Sequence, residues 1–196
     1  MKALGLSICA ILVFSLGYAQ SGNWIFEPSH CKIGFSVTHF GISETEGQFR
    51  KYEGTLALKG PTFENAEIAF TVDVNSIDTD NKDRDAHLKS VDFFDAEKHP
   101  TLQFKSRSFK QVGKNMFKLV GDLTMRGATK PVELDVTYGG IIEKDPFGNT
   151  KAGFKVVGSL NRKDWGLAWN RVLETGGLAV GENVKLVCNI ELQKVK

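Results

Sequence analysis

From Ala66 to Val74 every second residue is apolar: Ala66, Ile68, Phe70, Val72 and Val74, with Glu67, Ala69, Thr71 and Asp73 between them. A period of two puts one set on each face of a β-strand and rules out an amphipathic helix over the same residues. The pattern recurs along the chain. Cys31, Ile33, Phe35 and Val37 alternate on odd numbers, as do Phe117, Leu119, Leu123 and Met125; Val184, Leu186, Cys188, Ile190 and Leu192 alternate on even numbers. Trp24 to Phe26, Gly47 to Phe49, Tyr52 to Leu58, Leu102 to Ser106, Pro131 to Tyr138 and Phe154 to Leu160 read as further strands. Turn signals at Gly60-Pro61, around Gly113, from Arg126 to Lys130 and from Asp145 to Asn149 separate them. Strands with one apolar and one polar face belong to an antiparallel sheet with one side in water. The expectation is one all-β domain of eight or more strands, a barrel or a sandwich.

One stretch breaks the alternation. Val74 to Pro100 is polar and charged, with apolar residues only in small groups, Ala86/Leu88 and Val91/Phe93/Phe94. Asp80 or Asn81 can cap a short helix reaching about Lys89, and Ser90 or Asp92 can start a second turn. Two adjacent phenylalanines fit an ordered lid that faces the body better than a disordered insertion. Asp78-x-Asp80-x-Lys82 resembles the start of a calcium loop. It has Lys82 at the third ligand position, Asp83 where glycine is required and Lys89 in place of the bidentate acid, so helix caps and surface charge are the better reading.

The first nineteen residues read as a signal peptide: Lys2, an apolar run from Leu4 to Leu16, then Gly17-Tyr18-Ala19 as a cleavage site. The run is too short to span a bilayer. The mature domain is then 20–196, periplasmic or secreted. Its two cysteines, Cys31 and Cys188, lie near opposite ends of the mature chain. In an oxidising compartment they are a candidate disulfide, which would close a long loop and stabilise by roughly 4–5 kcal/mol. It requires the first and last strands to be neighbours; two buried free thiols are the alternative.

A net charge of +2 gives no reason to expect nucleic acid. His30, His39, His87 and His99 lack the close pairing of zinc sites, so no metal is expected. No nucleophile motif, phosphate-cradling glycine loop or C-x-x-C is present, and the acids fall mostly on outward-facing positions. The expectation is therefore not an enzyme and no cofactor, with His39 as the single residue worth testing for catalysis. What remains is the interior. Fourteen phenylalanines against three tryptophans and three tyrosines supply aromatic surface without a hydrogen-bonding handle. The inward set comprises Ile33, Phe35, Val37, Phe49, Ile68, Phe70, Val72, Leu102, Phe104, Leu119, Leu123, Val136, Phe154 and Leu160. Pattern alone leaves open whether these fill a core or line a cavity for a hydrocarbon chain.

Several motifs in order resemble the YceI-like family of polyisoprenoid-binding proteins. They are Trp24-x-x-Glu27-Pro28-x-His30 with Phe35-x-Val37-x-His39-x-Gly41, and Gly47-x-Phe49 with Gly54-x-Leu56. Ser76-Ile77-Asp78-Thr79, Arg84-Asp85-x-His87-Leu88 and Asp92-Phe93-Phe94-Asp95 come next, with Pro100. Gly121-x-Leu123-Thr124-x-Arg126-Gly127-x-Thr129-Lys130-Pro131-Val132 and Asn161-Arg162-x-Asp164-x-Gly166-Leu167-x-Trp169 complete the set. Cys31 stands where that family has serine, and His99 where an aromatic is common. The resemblance implies an extended antiparallel, lipocalin-like β-barrel with a short helical crossover and an exported location. It also implies a polyisoprenoid or quinone-like lipid held in the barrel for storage, transport or protection. It tips the interior toward a cavity whose ligand-binding residues are Phe35, Val37, Phe49, Phe70, Val72, Phe104, Leu119, Leu123, Val136 and Phe154. His39, Arg84, His87 and Arg162 become candidate mouth residues, and a homodimer is a candidate assembly.

Overall fold

The alternating segments become eleven strands in one antiparallel sheet, seen in a computed structural model that describes residues 22–174 and 176–196. The proposed signal segment lies outside the described residues. The strands are β1 (Asn23–Phe26), β2 (Lys32–His39), β3 (Ser43–Phe49), β4 (Tyr52–Ala57), β5 (Glu67–Asp73), β6 (Ile77–Asp78), β7 (Thr101–Gly113), β8 (Met116–Met125), β9 (Ala128–Ile142), β10 (Lys151–Asn161) and β11 (Val180–Lys194). One helix, α1 (Lys82–Lys89), sits between β6 and β7.

Eight strands close a ring in the order β1-β4-β5-β7-β8-β9-β10-β11, with β11 pairing back to β1. Closure leaves the ring without a terminal strand, while β2, β3 and β6 extend the sheet from β11 and β6 ends it. β11 is long enough to serve two partners end to end on one side. Its last residues pair with β1 (Leu192 opposite Phe26) and its middle with β2 (Cys188 opposite Ile33). Pro28 ends β1 because it has no N–H to donate to a ladder, and a turn over Pro28–His30 separates the two strands. At that break the Cys31 thiol accepts from Glu191 N–H at 3.2 Å and donates to Glu191 C=O at 3.3 Å, standing in for ladder bonds.

The register sorts the connections. One end of the barrel carries the chain ends of the domain and the β4–β5, β7–β8 and β9–β10 connections; the other carries the β2–β3, β8–β9 and β10–β11 connections and the crossover. The first end is filled. Trp24, Phe63, Phe109, Phe117 and Leu192 are buried there with Tyr138 and Phe154 around Phe63. At the second end Met125, Val132, Leu160, Trp165 and Leu167 make a smaller cluster.

The crossover is ordered. Asn81 caps α1 by accepting from Arg84 N–H at 2.9 Å. No residue of α1 is fully buried, so the helix rests on its caps and on the segment after Lys89. Phe94 N–H donates to Leu88 C=O and Ala96 N–H to Lys89 C=O, which folds 90–100 back beneath the helix. Phe94 reaches the barrel, edge-on to Phe49 at 6.0 Å between ring centroids. Phe93 is buried on the other side of the lid, against Trp169 at 5.2 Å. Arg126, at the tip of the β8–β9 hairpin, donates to Val91 C=O at 2.7 Å and to Gly166 C=O, so the lid and the β10–β11 connection share one clamp.

Candidate functional site

Between the two packed ends the barrel is hollow. The cavity has a volume of about 220 Å³, against the ~10–15 Å³ that one water needs on the same measure. Its wall is apolar apart from three contributors, Gln103, Arg162 and Cys188. Phe35, Phe70, Phe104, Leu123 and Leu186 point inward yet are only half-buried. The space they leave uncovered is the cavity itself.

Glycines explain why so many phenylalanines fail to fill it. Phe35 lies directly opposite Gly47, and Phe70 opposite Gly54. A β-carbon on Gly47 would strike the Phe35 ring, and one on Gly54 would stand 2.5 Å from Phe26 and 2.7 Å from Phe70. One on Gly121 would strike the Phe104 ring and sit 2.6 Å from Lys105 O. Each ring therefore lies flat over a bare backbone on the next strand. The wall is lined with aromatic surface while the lumen stays open, and any β-carbon at these glycines would push a ring inward.

Nine of the ten expected ligand-binding residues stand on this wall: Phe35, Phe49, Phe70, Val72, Phe104, Leu119, Leu123, Val136 and Phe154. Val37 does not; one step nearer the β2–β3 turn, it leaves the wall to its β11 partner Val184. Phe109 also lines the cavity. The even parity of Leu102 and Phe104 does not reach it because β7 is bulged between Ser106 and Ser108, which switches its inward face to odd numbers.

The expected mouth residues disperse. His39 stacks on Phe40 at 3.8 Å at the end of β2 and does not touch the cavity, which removes the geometric basis for an inward catalytic base. Arg84 donates from Nε to Thr79 Oγ1 at 2.8 Å, and Thr79 donates in turn to Asp85, so it serves the crossover's own fold. His87 pairs with Asp92 at 2.9 Å and meets the edge of Trp169 at 4.8 Å, joining α1 to the β10–β11 connection. Only Arg162 lines the cavity, and it is 3% exposed. Its guanidinium turns to the backbone: Nε donates to Gly181 C=O at 2.9 Å, Nη2 to Val180 C=O at 3.3 Å and Nη1 to Leu167 C=O. Burial pushes its pKa down, and the Glu182 carboxylate pushes it back.

The two thiols are free. Cys188 sits opposite Ile33 and Val156, and the same register sets Cys31 two residues away. Such diagonal neighbours on adjacent strands are ~7–8 Å apart, whereas a disulfide needs its β-carbons within ~3.5–4.5 Å. The proximity of first and last strands holds; the register keeps the sulfurs apart. Burial pushes the Cys188 thiol up from an ordinary 9.0 to about 11, opposed by the Gly34 hydrogen bond. Between those two values the unfolded chain has lost the proton and the folded one has kept it, so stability falls as pH rises through this window, by roughly 2–3 kcal/mol. The melting temperature of the wild type is expected to drop more steeply from pH 9 to 11 than that of Cys188→Ala; parallel curves would remove Cys188 as the cause.

A family model for the YceI-like domain matches residues 24–192. A UPF0312 protein of Staphylococcus epidermidis is 34% identical over 166 residues, covering 85% of this chain and 94% of that one. The crystal structure of BcnA from Burkholderia cenocepacia matches with a TM-score of 0.73 at 20% identity, over 85% of this chain and 98% of that one. A polyisoprenoid binding domain from Saccharophagus degradans, implicated in plant cell wall breakdown, matches with a TM-score of 0.63 at 12% identity, over 90% and 100%. The closed barrel with its crossover is thus a shared fold, and with the family model matched along nearly all of the described residues, the chain belongs to the YceI-like family.

Proposed function

We propose that this protein is an exported carrier that holds the hydrocarbon chain of a polyisoprenoid or quinone-like lipid in its barrel, shielding it from water, with no covalent chemistry. The observation that carries the reading is the cavity: hollow, apolar along its length, and with its one cationic lining residue turned away to backbone carbonyls. A polar molecule would find nothing to bond to there, whereas a hydrocarbon gains ~0.8 kcal/mol per buried methylene. Ten to fifteen carbons, roughly two or three isoprene units, would contribute ~8–12 kcal/mol before the cost of immobilising the chain. Affinity then comes from the chain, and any head group stays outside the lumen. The likeness to a polyisoprenoid-binding domain supports the same ligand class. We place the mature domain outside the cytoplasm on the sequence of residues 1–19.

Solvent extraction of the protein purified from its own host, followed by mass spectrometry, should yield an apolar chain-bearing lipid; protein that carries none and takes up none from an offered isoprenoid would defeat the proposal. The lid supplies a second test. Phe93→Ser combined with Phe94→Ser removes its anchors on Trp169 and Phe49. Release of a bound fluorescent apolar probe should then quicken by at least about tenfold. An unchanged release rate would reduce the crossover to a connector.

A further inference from the structure

The end of the barrel that bears the lid also bears an apolar surface that the cavity does not use. Phe40 and Gly41 form the two-residue turn between β2 and β3, with φ of 53° and 73° and Ile42 N–H bonded to His39 C=O at 3.1 Å. Turns of this kind favour Asn-Gly, because both central residues are left-handed. A phenylalanine there is strained, and this one is 45% exposed; Ile42 beside it is 87% exposed. Local turn chemistry and burial are both violated at one spot, which is where function is to be sought.

The neighbouring loop does the same. Phe40 N–H donates to Ala179 C=O at 2.9 Å and so seats the turn against the 171–179 segment. That segment is pinched by a bridge between Val172 and Leu178, which are 71% and 39% exposed. Four large apolar side chains therefore project from two adjoining loop tips. The charges stand behind them and are paired, Glu44 with Lys185 and Lys163 with Glu182. Arg171 stands just before Val172, and Glu174 lies within the turn between Val172 and Leu178; the two charges have opposite signs. The connection that carries Val172 and Leu178 begins at Leu167, which lines the cavity, and returns to the barrel at Val180 and Gly181 on the Arg162 pin.

We propose that these two tips seat the barrel on a lipid bilayer, with Phe40, Ile42, Val172 and Leu178 entering the outer part of its hydrocarbon layer. The choice of occupant rests on the lipid-carrier reading and on shape and charge. Projecting apolar tips of zero net charge, ahead of paired charges on the strands, suit a fluid apolar layer whose outer edge tolerates one charge of each sign, whereas a protein partner would have to be moulded to them. The same loop forms cavity wall at one end and bilayer contact at the other, so the membrane is met beside the cavity's lid end.

The tips carry no net charge, so attachment should occur on uncharged phosphatidylcholine vesicles and should not weaken with salt. The mature chain is expected to float with such vesicles at low and at high salt. Ile42→Ser with Val172→Ser, both at exposed positions, should weaken flotation by at least about tenfold while leaving the melting temperature and extractable lipid unchanged. Wild-type protein that stays in solution, that floats only with anionic vesicles and is released by salt, or whose flotation survives the double substitution would overturn the proposal. So would a double variant that changes only the sedimentation of the protein from dimer to monomer, which would make the tips a contact between copies. Vesicle binding by protein in which no lipid is ever found would uphold the surface and sink the carrier reading instead; bound lipid without vesicle binding would do the reverse.

Discussion

Arg162→Met lowers the unfolding free energy by about 3–5 kcal/mol, and Arg162→Lys recovers only a small part of it. All three guanidinium nitrogens are committed, to the carbonyls of Leu167, Val180 and Gly181. A buried carbonyl that loses its donor costs ~1–3 kcal/mol. Val180 is partly insured, because the Asn170 side-chain amide donates to the same carbonyl at 2.6 Å; Leu167 and Gly181 have no such second side-chain donor among the described residues. A lysine brings one nitrogen on a flexible stem and cannot span both ends of the connection at once. Since Leu167 forms part of the cavity wall and Trp165 closes over it by donating to Leu123 C=O at 3.0 Å, the loosened loop should also shorten the residence time of any bound chain. Urea midpoints of the three proteins check the first claim. A change within ~0.5 kcal/mol, the size of an ordinary surface substitution, would mean that the pin is ornamental.

Phe104→Arg should empty the barrel. Phe104 lies midway along the lumen, touching the clusters at both ends, with its ring over Gly121. An arginine there has no carboxylate within the wall to meet it, and an unpaired charge in such a place costs about 3–5 kcal/mol. Any ligand chain would have to lie against that charge. Mass spectrometry of extracts should find no apolar ligand, while circular dichroism still reports a sheet of weakened stability. Phe104→Leu is the control: it should keep the ligand and cost less than ~1.5 kcal/mol. Gly121→Ala offers an independent route to the same end. Its β-carbon displaces the Phe104 ring from the wall, so it should reduce ligand uptake with no change of charge or hydropathy at the ring. If both Phe104→Arg and Gly121→Ala bind as the wild type does, the ligand is not in the lumen.

Much of this architecture can be read from alternation, because in a barrel the parity of a strand decides which residues face in. Phe70, Phe104 and Phe154 are assigned correctly that way. Parity fails where the backbone slips by one residue. Phe109 is hidden by the bulge in β7, and no local signal announces it, since Ser106-Arg107-Ser108 is an unremarkable polar run. The first half of β3, Ser43-Glu44-Thr45-Glu46, has no large apolar residue and does not read as a strand; it is held by its pairing with β2, Thr45 opposite Val37 and Ser43 opposite His39. The Cys31–Cys188 pairing fails for a related reason. That the first and last strands meet follows from closure, but an offset of two residues is a property of register, which depends on every pair in the ladder. Arg162 shows a different limit. The family resemblance makes it a candidate mouth residue, but its three hydrogen bonds run back into the chain's own carbonyls, a matter of the folded loop that no local motif announces. Hollowness, too, is a matter of how rings and glycines face each other across strands that are distant in sequence.

The double duty of β11 bears on how the barrel comes into being. This one strand holds β10 on one side and, on the other, both β1 and β2, so the seam joins residues 23–39 to residues 180–194. The last strand of the barrel is the one that turns an open sheet into a ring. Until it pairs, the sheet is open and encloses no lumen. Closure joins strands from opposite ends of the domain, which makes folding slow by contact order. On the carrier reading proposed above, a lipid that binds only the closed ring would stabilise it as it shuts.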